Sequence, residues 1–425
     1  MLGGDILATT LPVVAVIGGG PKGAALAAKA RVLKELGIGD VQITIIERTA
    51  IAANWKGKSG FTDGNSPLGT PPEKDVGFPY NSRYGNDVDV AMLRFSWAAH
   101  LISLTSFSDW VDRGRKNPPH EAWARYVNWV TSESEARCET GEVTRVVPEG
   151  EQFKLEVRKE MSTQNILADG IVFTGPGSPL RIAKAPLSDN ILDGQNYWLR
   201  IPIFTEMQSG RVAIIGGGET AASIALSLLR KAPKVNIDLI NRHGTIYTRG
   251  ESFHENELFS KTDRWQSLAH EDKLEFIDRT DRGVFSVASK QELDQAMNVR
   301  VISGEVTRIE EVGERVVVKM KRRMSEGVES YDKVILALGF DAWSPLRMLP
   351  EDLFPSSEKK RKDLMRRIDS HLRLPLSLGR KKGNLNLHVP MLAGLSQGPG
   401  LPNLSCLGEI SDRILSLYVP VQGTV

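Results

Sequence analysis

Glycines are the residues of this chain whose spacing points most directly to chemistry. Gly18-x-Gly20-Pro21-x-Gly23 and Gly216-x-Gly218-x-x-Ala221 each place small residues where a chain can turn sharply. Backbone N–H groups then approach a bulky anion closely. Such a turn seats a pyrophosphate at the N-terminus of the following helix, whose unbonded N–H groups and dipole favour negative charge. Alone, either turn is a weak signal. Its meaning depends on the elements on each side.

Those elements occur twice. Val13 to Ile17 is a continuous apolar run of strand length, and the Ala-rich segment after Gly23 has the composition of a helix. A second strand, VQITIIE, ends on Glu47. That acid falls ~20–25 residues past the turn, where a carboxylate can accept from a ribose hydroxyl. The second turn lies between a strand at Val212 to Ile215 and another helix, and the next strand, VNIDLINRH, ends on Asn241, Arg242 and His243. An acid suits the free ribose of FAD or NAD, whereas an arginine suits the 2′-phosphate of NADP(H). The expected cofactors are FAD, held by Gly18, Gly20, Pro21, Gly23 and Glu47, and NADPH, held by Gly216, Gly218, Ala221 and Arg242.

The bulk composition excludes several other classes. A chain of 425 residues supports two or three cores. Net charge of +2 gives no electrostatic case for nucleic acid or a membrane surface, and no run approaches the ~18 apolar residues of a membrane span. The early LPVVAVIGGG lacks the basic region and cleavage site of a secretory leader, so a buried strand and a cytoplasmic protein are expected. Cys138 and Cys406 form no CxxC pair, and the seven histidines have no ligand spacing. Neither a disulfide frame, a dithiol redox centre nor a metal site is expected.

Without a cysteine pair beside the flavin, a disulfide reductase is unlike this chain. FTGPGSPLRIA also lacks the His and Trp of the FxGxxxHxxxW signature of flavin-containing and Baeyer–Villiger monooxygenases. Over most of its length the chain instead resembles the flavin-dependent N-hydroxylating monooxygenases, the lysine/ornithine N-monooxygenase family of siderophore biosynthesis. GGGPKG, NWKGKSG, PEKDV, HEAWARYVNWV, ESFHENELF and SDRILS occur in the family's order, and YDKVILALGF resembles a strand of two-dinucleotide flavoproteins more widely. The resemblance implies that Trp55 belongs to the cofactor segment and that Lys74 contacts a substrate carboxylate. It likewise implies that Asn256 holds the substrate and that Ser416 lies near it. Four departures alter the pocket: Lys56 replaces a His, Gly69 a Gln and Asp193 a His, and TDRGVFS lacks the family's Asn. Trp123, Tyr126, Val127 and Val130 have helical spacing, which core packing explains. His254 is expected to be exposed or satisfied.

The resemblance also implies a reaction. NADPH reduces FAD, dioxygen adds to give a flavin hydroperoxide, and its distal oxygen passes to an amine nitrogen. An alkyl amine of pKa ~10 must be held neutral, most simply in a dry pocket. No side chain is expected to be catalytic beyond the flavin. The partners are dioxygen and an amine, from a lysine- or ornithine-like amino acid or a small amine, and homo-oligomerisation is left open. Competing readings are an N-hydroxylase of an acidic amino acid or amino-phosphonate, an NADPH oxidase, and a non-catalytic flavin-binding protein.

The expected fold is α/β, with two dinucleotide-binding Rossmann-like domains, small antiparallel β additions and a helical substrate region. Residues 1–202 are assigned to the first part of the FAD domain and 203–330 to the NADPH domain. Residues 331–425 are assigned to the FAD-domain return and a C-terminal substrate segment. ADGIVFTGPG and YDKVILALGF are the proposed return strands, while FKLEVRKE and ERVVVKMKRR alternate as antiparallel strands do. The basic runs KKRKDLMRR and GRKKG are expected on a solvated face, the alternative being attraction of an anionic substrate or NADPH.

Overall fold

Five parallel strands form the first sheet, in the order Asn386–His388, Gly170–Phe173, Val13–Ile17, Gln42–Glu47 and Arg137–Thr140. Helices cover this sheet, so its central strands carry unbroken apolar runs, and Val14, Ala15 and Val16 are fully buried. The computed structural model describes residues 11–57, 61–78, 81–182, 185–281, 283–322, 325–376 and 386–421. The first-turn helix, Pro21–Glu35, begins with a proline whose fixed φ suits a first turn and whose missing N–H would have had no partner. It packs against the helix His120–Glu133 and the last helix, Leu407–Leu415. Lys29 and Asp412 form an ion pair of 2.7 Å between the first-turn helix and the last helix, with both groups buried. The Asp412 carboxylate also accepts from Ser82 Oγ and the Arg83 N–H at 3.0 Å each, which offsets its desolvation.

The second sheet runs Val299–Ser303, Asn236–Asn241, Arg211–Ile215, Lys333–Leu336 and Ile191–Asp193, again all parallel. Here the expected boundaries need correction. Lys333–Leu336, assigned above to the FAD return in 331–425, pairs with Arg211–Ile215 from Val212↔Lys333 to Ile215↔Leu336. Ile191–Asp193, assigned to the first part, is the far edge of the same sheet. The second sheet therefore reaches beyond 203–330 at both ends. A short apolar run such as KVIL fits the middle of either parallel sheet, and local pattern does not name its neighbour. The Gly170–Phe173 strand of ADGIVFTGPG does join the first sheet.

Each sheet receives its inner return strand directly after a three-stranded antiparallel meander. Glu142–Glu149, Gln152–Arg158 and Thr163–Ala168 precede Gly170–Phe173, and Glu305–Val312, Arg315–Lys321 and Glu326–Tyr331 precede Lys333–Leu336. The central strands alternate as their sequences require: Phe153, Leu155 and Val157 are buried in one, Val316, Val318 and Met320 in the other.

Between the sheets the chain passes out along Ser178–Pro179 and back along Phe340–Asp341. These two passages pair antiparallel, Pro179 opposite Phe340 and Ser178 opposite Asp341. Ser344 Oγ accepts from the Ser178 N–H at 2.7 Å and donates to the Asp341 carbonyl at 2.8 Å. The helical section comprises Asn86–Met92, Trp97–Ser103, Phe107–Asp112 and His120–Glu133. In its last helix Trp123, Tyr126, Val127 and Val130 are fully buried. Among the described residues, no helix is long and apolar enough to cross a membrane and no cluster could hold a metal ion. Most of KKRKDLMRR lies on the exposed helix Glu358–Arg366, while GRKKG lies outside the described residues.

Candidate active site

The first turn is shaped for backbone contact. Gly18 has φ +108°, and a Cβ there would stand 2.5 Å from Thr174 Oγ1, which itself donates to the carbonyls of Ile17 and Gly18. Gly23 packs against the Gly18 carbonyl, 3.0 Å from a Cβ position. Gly20 caps the helix without any side-chain bond, and a Cβ on it would meet nothing within 4 Å. The helix N-terminus thus opens onto free space, as a bound pyrophosphate needs. Glu47 Oε2 accepts from the Gly19 N–H at 2.8 Å, which places the strand-end carboxylate at the turn. These residues fit FAD.

A cleft of about 430 Å³ opens from this turn. Gly18, Gly20, Pro21 and Glu47 line it, as does Trp55. Aromatic edges form part of its wall: Trp55 meets His120 at 4.9 Å between ring centres, and Phe61 meets Phe340 at 4.8 Å. His120 Nδ1 lies 2.8 Å from Thr62 Oγ1. Burial pushes this imidazole down to about 4 against the pull of Asp63, so it is neutral at pH 7.

Glu219, Thr220, Ser223 and Arg249 line the same cleft from the second turn and its neighbourhood. Gly216 has φ +141°, with a Cβ position 2.1 Å from the Ala337 carbonyl oxygen. Only a glycine passes there. Gly218 caps the helix Glu219–Lys231 with no side-chain bond. Ala221 is fully buried, and Arg242 is exposed just beyond the strand Asn236–Asn241. Gly216, Gly218, Ala221 and Arg242 do not themselves line the cleft. Glu219 Oε1 is shielded from solvent without a hydrogen-bond partner. Burial pushes its carboxyl up, and Arg249 draws it partly back. A Cβ at Gly69 would lie 3.6 Å from Glu219 Oε2 and 3.8 Å from Arg249 Nη2. The two groups therefore stand beside the space that a side chain at residue 69 would enter.

Two of the three substrate candidates are linked through Ser260. Lys74 Nζ donates to Ser260 Oγ at 2.8 Å, and burial lowers the ammonium's pKa. Ser260 Oγ donates in turn to the Asn256 carbonyl at 3.3 Å. The Asn256 amide is engaged with the carbonyls of Gly250 and Ser252, at 3.2 and 2.9 Å, where it secures the start of the helix Phe253–Ser260. Ser416 stands apart. Its hydroxyl donates to the Arg413 carbonyl at 3.1 Å and lies 3.3 Å from His371 Nδ1. None of the three lines the cleft itself. His254 is exposed. Asp75, beside Lys74, is buried and holds the loop through the N–H groups of Gly77 and Trp97.

Sequence reasoning missed Glu219, Arg249 and His120. Glu219 follows the GGG triplet directly and could have been flagged. Arg249 and His120 carry no local signal, because only the assembled sheets bring them to the turn.

The L-lysine 6-monooxygenase/L-ornithine 5-monooxygenase family matches residues 92–342. The L-lysine N6-monooxygenase MbtG of Mycobacterium tuberculosis (strain CDC 1551 / Oshkosh) is 35% identical over 431 residues, covering 97% of this chain and 96% of that protein. The structure of the lysine monooxygenase NbtG from Nocardia farcinica superposes with a TM-score of 0.80 at 33% identity, covering 95% of this chain and 100% of that one. The ornithine N-hydroxylase KtzI of Kutzneria sp. 744, solved with reduced FAD, NADP+ and L-ornithine, shares the fold at a TM-score of 0.78 and 16% identity, covering 96% and 99%. The chain belongs to the lysine/ornithine N-monooxygenase family and is an FAD- and NADPH-dependent N-hydroxylating monooxygenase.

Proposed function

We propose that this enzyme hydroxylates the side-chain amine nitrogen of lysine, or of a molecule carrying lysine, in the cytoplasm. One observation carries the reading. A single cleft is lined by Gly18 to Lys22 at the first turn and by Glu219, Thr220 and Ser223 on the helix that follows the second. Two dinucleotides thus come within reach of each other. The lysine activity named for the MbtG and NbtG relatives supports the choice of amine.

Bound FAD supplies electron transfer from NADPH and the activation of dioxygen. The chain's own residues bind, orient and exclude water. The backbone of Gly18 to Gly23 takes the FAD pyrophosphate, and Glu47 takes its ribose. Gly216, Gly218 and the buried Ala221 would shape the NADPH turn, and Arg242, just beyond the strand, would serve the 2′-phosphate. Trp55, Phe61, His120 and Phe340 give the cleft a partly apolar wall, which disfavours an ammonium and so favours the neutral amine. Lys74 fixes the substrate carboxylate by a charge-assisted hydrogen bond, with Ser260 and Asn256 setting the position of its ammonium. Ser416, already engaged by Arg413 and His371, takes no part in this assignment.

The test is an assay of FAD-loaded protein with NADPH, dioxygen and a panel containing lysine, ornithine, acidic amino acids and amino-phosphonates. Hydroxylamine matching NADPH consumption with lysine is the expected result. Hydroxylamine with a different amine, or peroxide alone throughout, overturns the substrate assignment.

A further inference from the structure

Lys22 is the second residue of the first-turn helix, and its side chain is 7% exposed. Its ammonium donates to the Pro402 carbonyl at 2.8 Å, and no carboxylate among the described residues pairs with it. An ammonium has three donors, so two are left to whatever enters the cleft that Lys22 lines. A buried cation without a counter-ion is costly. Burial lowers the pKa of this ammonium to about 8, and the Cys406 thiol nearby, pushed up to about 12, is neutral and offers no compensation.

An anionic ligand group is the natural partner, and FAD has two candidates. The pyrophosphate is served by the backbone of the turn. The Lys22 side chain is tied elsewhere, to Pro402. Pro402 lines the cleft together with Asn403, Leu404 and Met391, on the C-terminal segment, whereas Glu47, the ribose acceptor, is bonded to Gly19. Resting on the FAD reading above, we infer that the Lys22 ammonium is the counter-ion of the charge that the flavin ring gains on reduction, and so sets how readily FAD accepts a hydride. The balance is simple. A hydride brings two electrons and one proton to the ring, which becomes singly negative, and the nicotinamide departs with the matching positive charge. A cation near the ring favours the reduced form.

The test measures the two-electron midpoint potential of bound FAD by spectroelectrochemistry, alongside the affinities of oxidised and reduced FAD for apoprotein. Lys22→Gln keeps a donor for Pro402 but removes the charge, and Lys22→Arg keeps the charge. For Lys22→Gln, the preference for reduced over oxidised FAD should fall about tenfold, a drop of about 30 mV, while Lys22→Arg stays near the unaltered enzyme. Should Lys22→Gln not fold, Lys22→Met serves in its place. Equal weakening of both redox forms, with an unchanged potential, overturns the inference in favour of a pyrophosphate contact. No change in either quantity overturns it in favour of a purely structural tie to Pro402. Failure of the unaltered chain to bind FAD at all would instead remove the cofactor reading on which this one rests.

Discussion

Lys74 and Ser260 join two segments that lie far apart in the chain. The ammonium donates to the hydroxyl at 2.8 Å, tying the loop that contains Lys74 to the last residue of the helix Phe253–Ser260. If the ammonium also holds a substrate carboxylate, Lys74→Ala removes a charge-assisted bond worth ~1.5–3 kcal/mol. The KM for the amine substrate should then rise roughly 10- to 100-fold while that for NADPH stays within about twofold. Ser260→Ala, which leaves the ammonium in place, should do much less. Steady-state kinetics on both substrates decides, and an equal rise in the two constants for Lys74→Ala would remove the role.

Arg242 and Arg249 compete for the description of NADPH-selecting residue. Arg242 follows the strand Asn236–Asn241, and Arg249 lines the cleft. Arg242→Ala should narrow the NADPH-over-NADH ratio of kcat/KM by about tenfold, the loss of one good phosphate contact. Arg249→Ala should lower both values together. The reverse pattern would move the 2′-phosphate to Arg249.

The loop that carries Lys74 is held by Asp75. One carboxylate oxygen accepts from the Gly77 N–H at 2.8 Å and the other from the Trp97 N–H at 2.6 Å. Asp75→Asn sets an NH2 against one of those donors and should cost ~1–3 kcal/mol. Burial pushes the Asp75 carboxyl up to about 7, above its unfolded value of ~4. The native state therefore binds this proton more tightly. Its contribution to stability is fully present below ~4 and is lost as pH rises to about 7. The deficit of Asp75→Asn, measured by urea unfolding, should be larger at pH 5 than at pH 8.

Glu219 Oε1 is shielded and unpaired in the protein alone. Glu219→Gln removes the potential charge and should raise the apoprotein Tm by roughly 1–3 °C, equivalent to about 1 kcal/mol. An unchanged or lower Tm in calorimetry would show that the carboxylate is stabilised by its surroundings, Arg249 and the Ser286 backbone among them.

Both turns were legible because everything that defines them is local: an apolar strand, glycines at fixed offsets and a helix follow within a short stretch. The burial of Trp123, Tyr126, Val127 and Val130 was legible for the same reason, since helical period alone put them on one face. Lys333–Leu336 was misplaced because a run buried on both sides carries no mark of its neighbours. The cleft wall was least legible of all. His120, Glu219 and Arg249 are far apart in the chain, and they share a site only once the folded chain brings them to one cleft. Lys74 had no signal beyond its resemblance, since a lysine in a Pro/Gly-rich loop has the same local pattern whether or not it serves a ligand.

The antiparallel pairing of Ser178–Pro179 with Phe340–Asp341 has a mechanical consequence. Both covalent passages between the sheets run through one short ladder, locked further by Ser344. Whatever loosens this ladder loosens both connections together, so the two sheets are coupled through one short seam and not through two independent linkers.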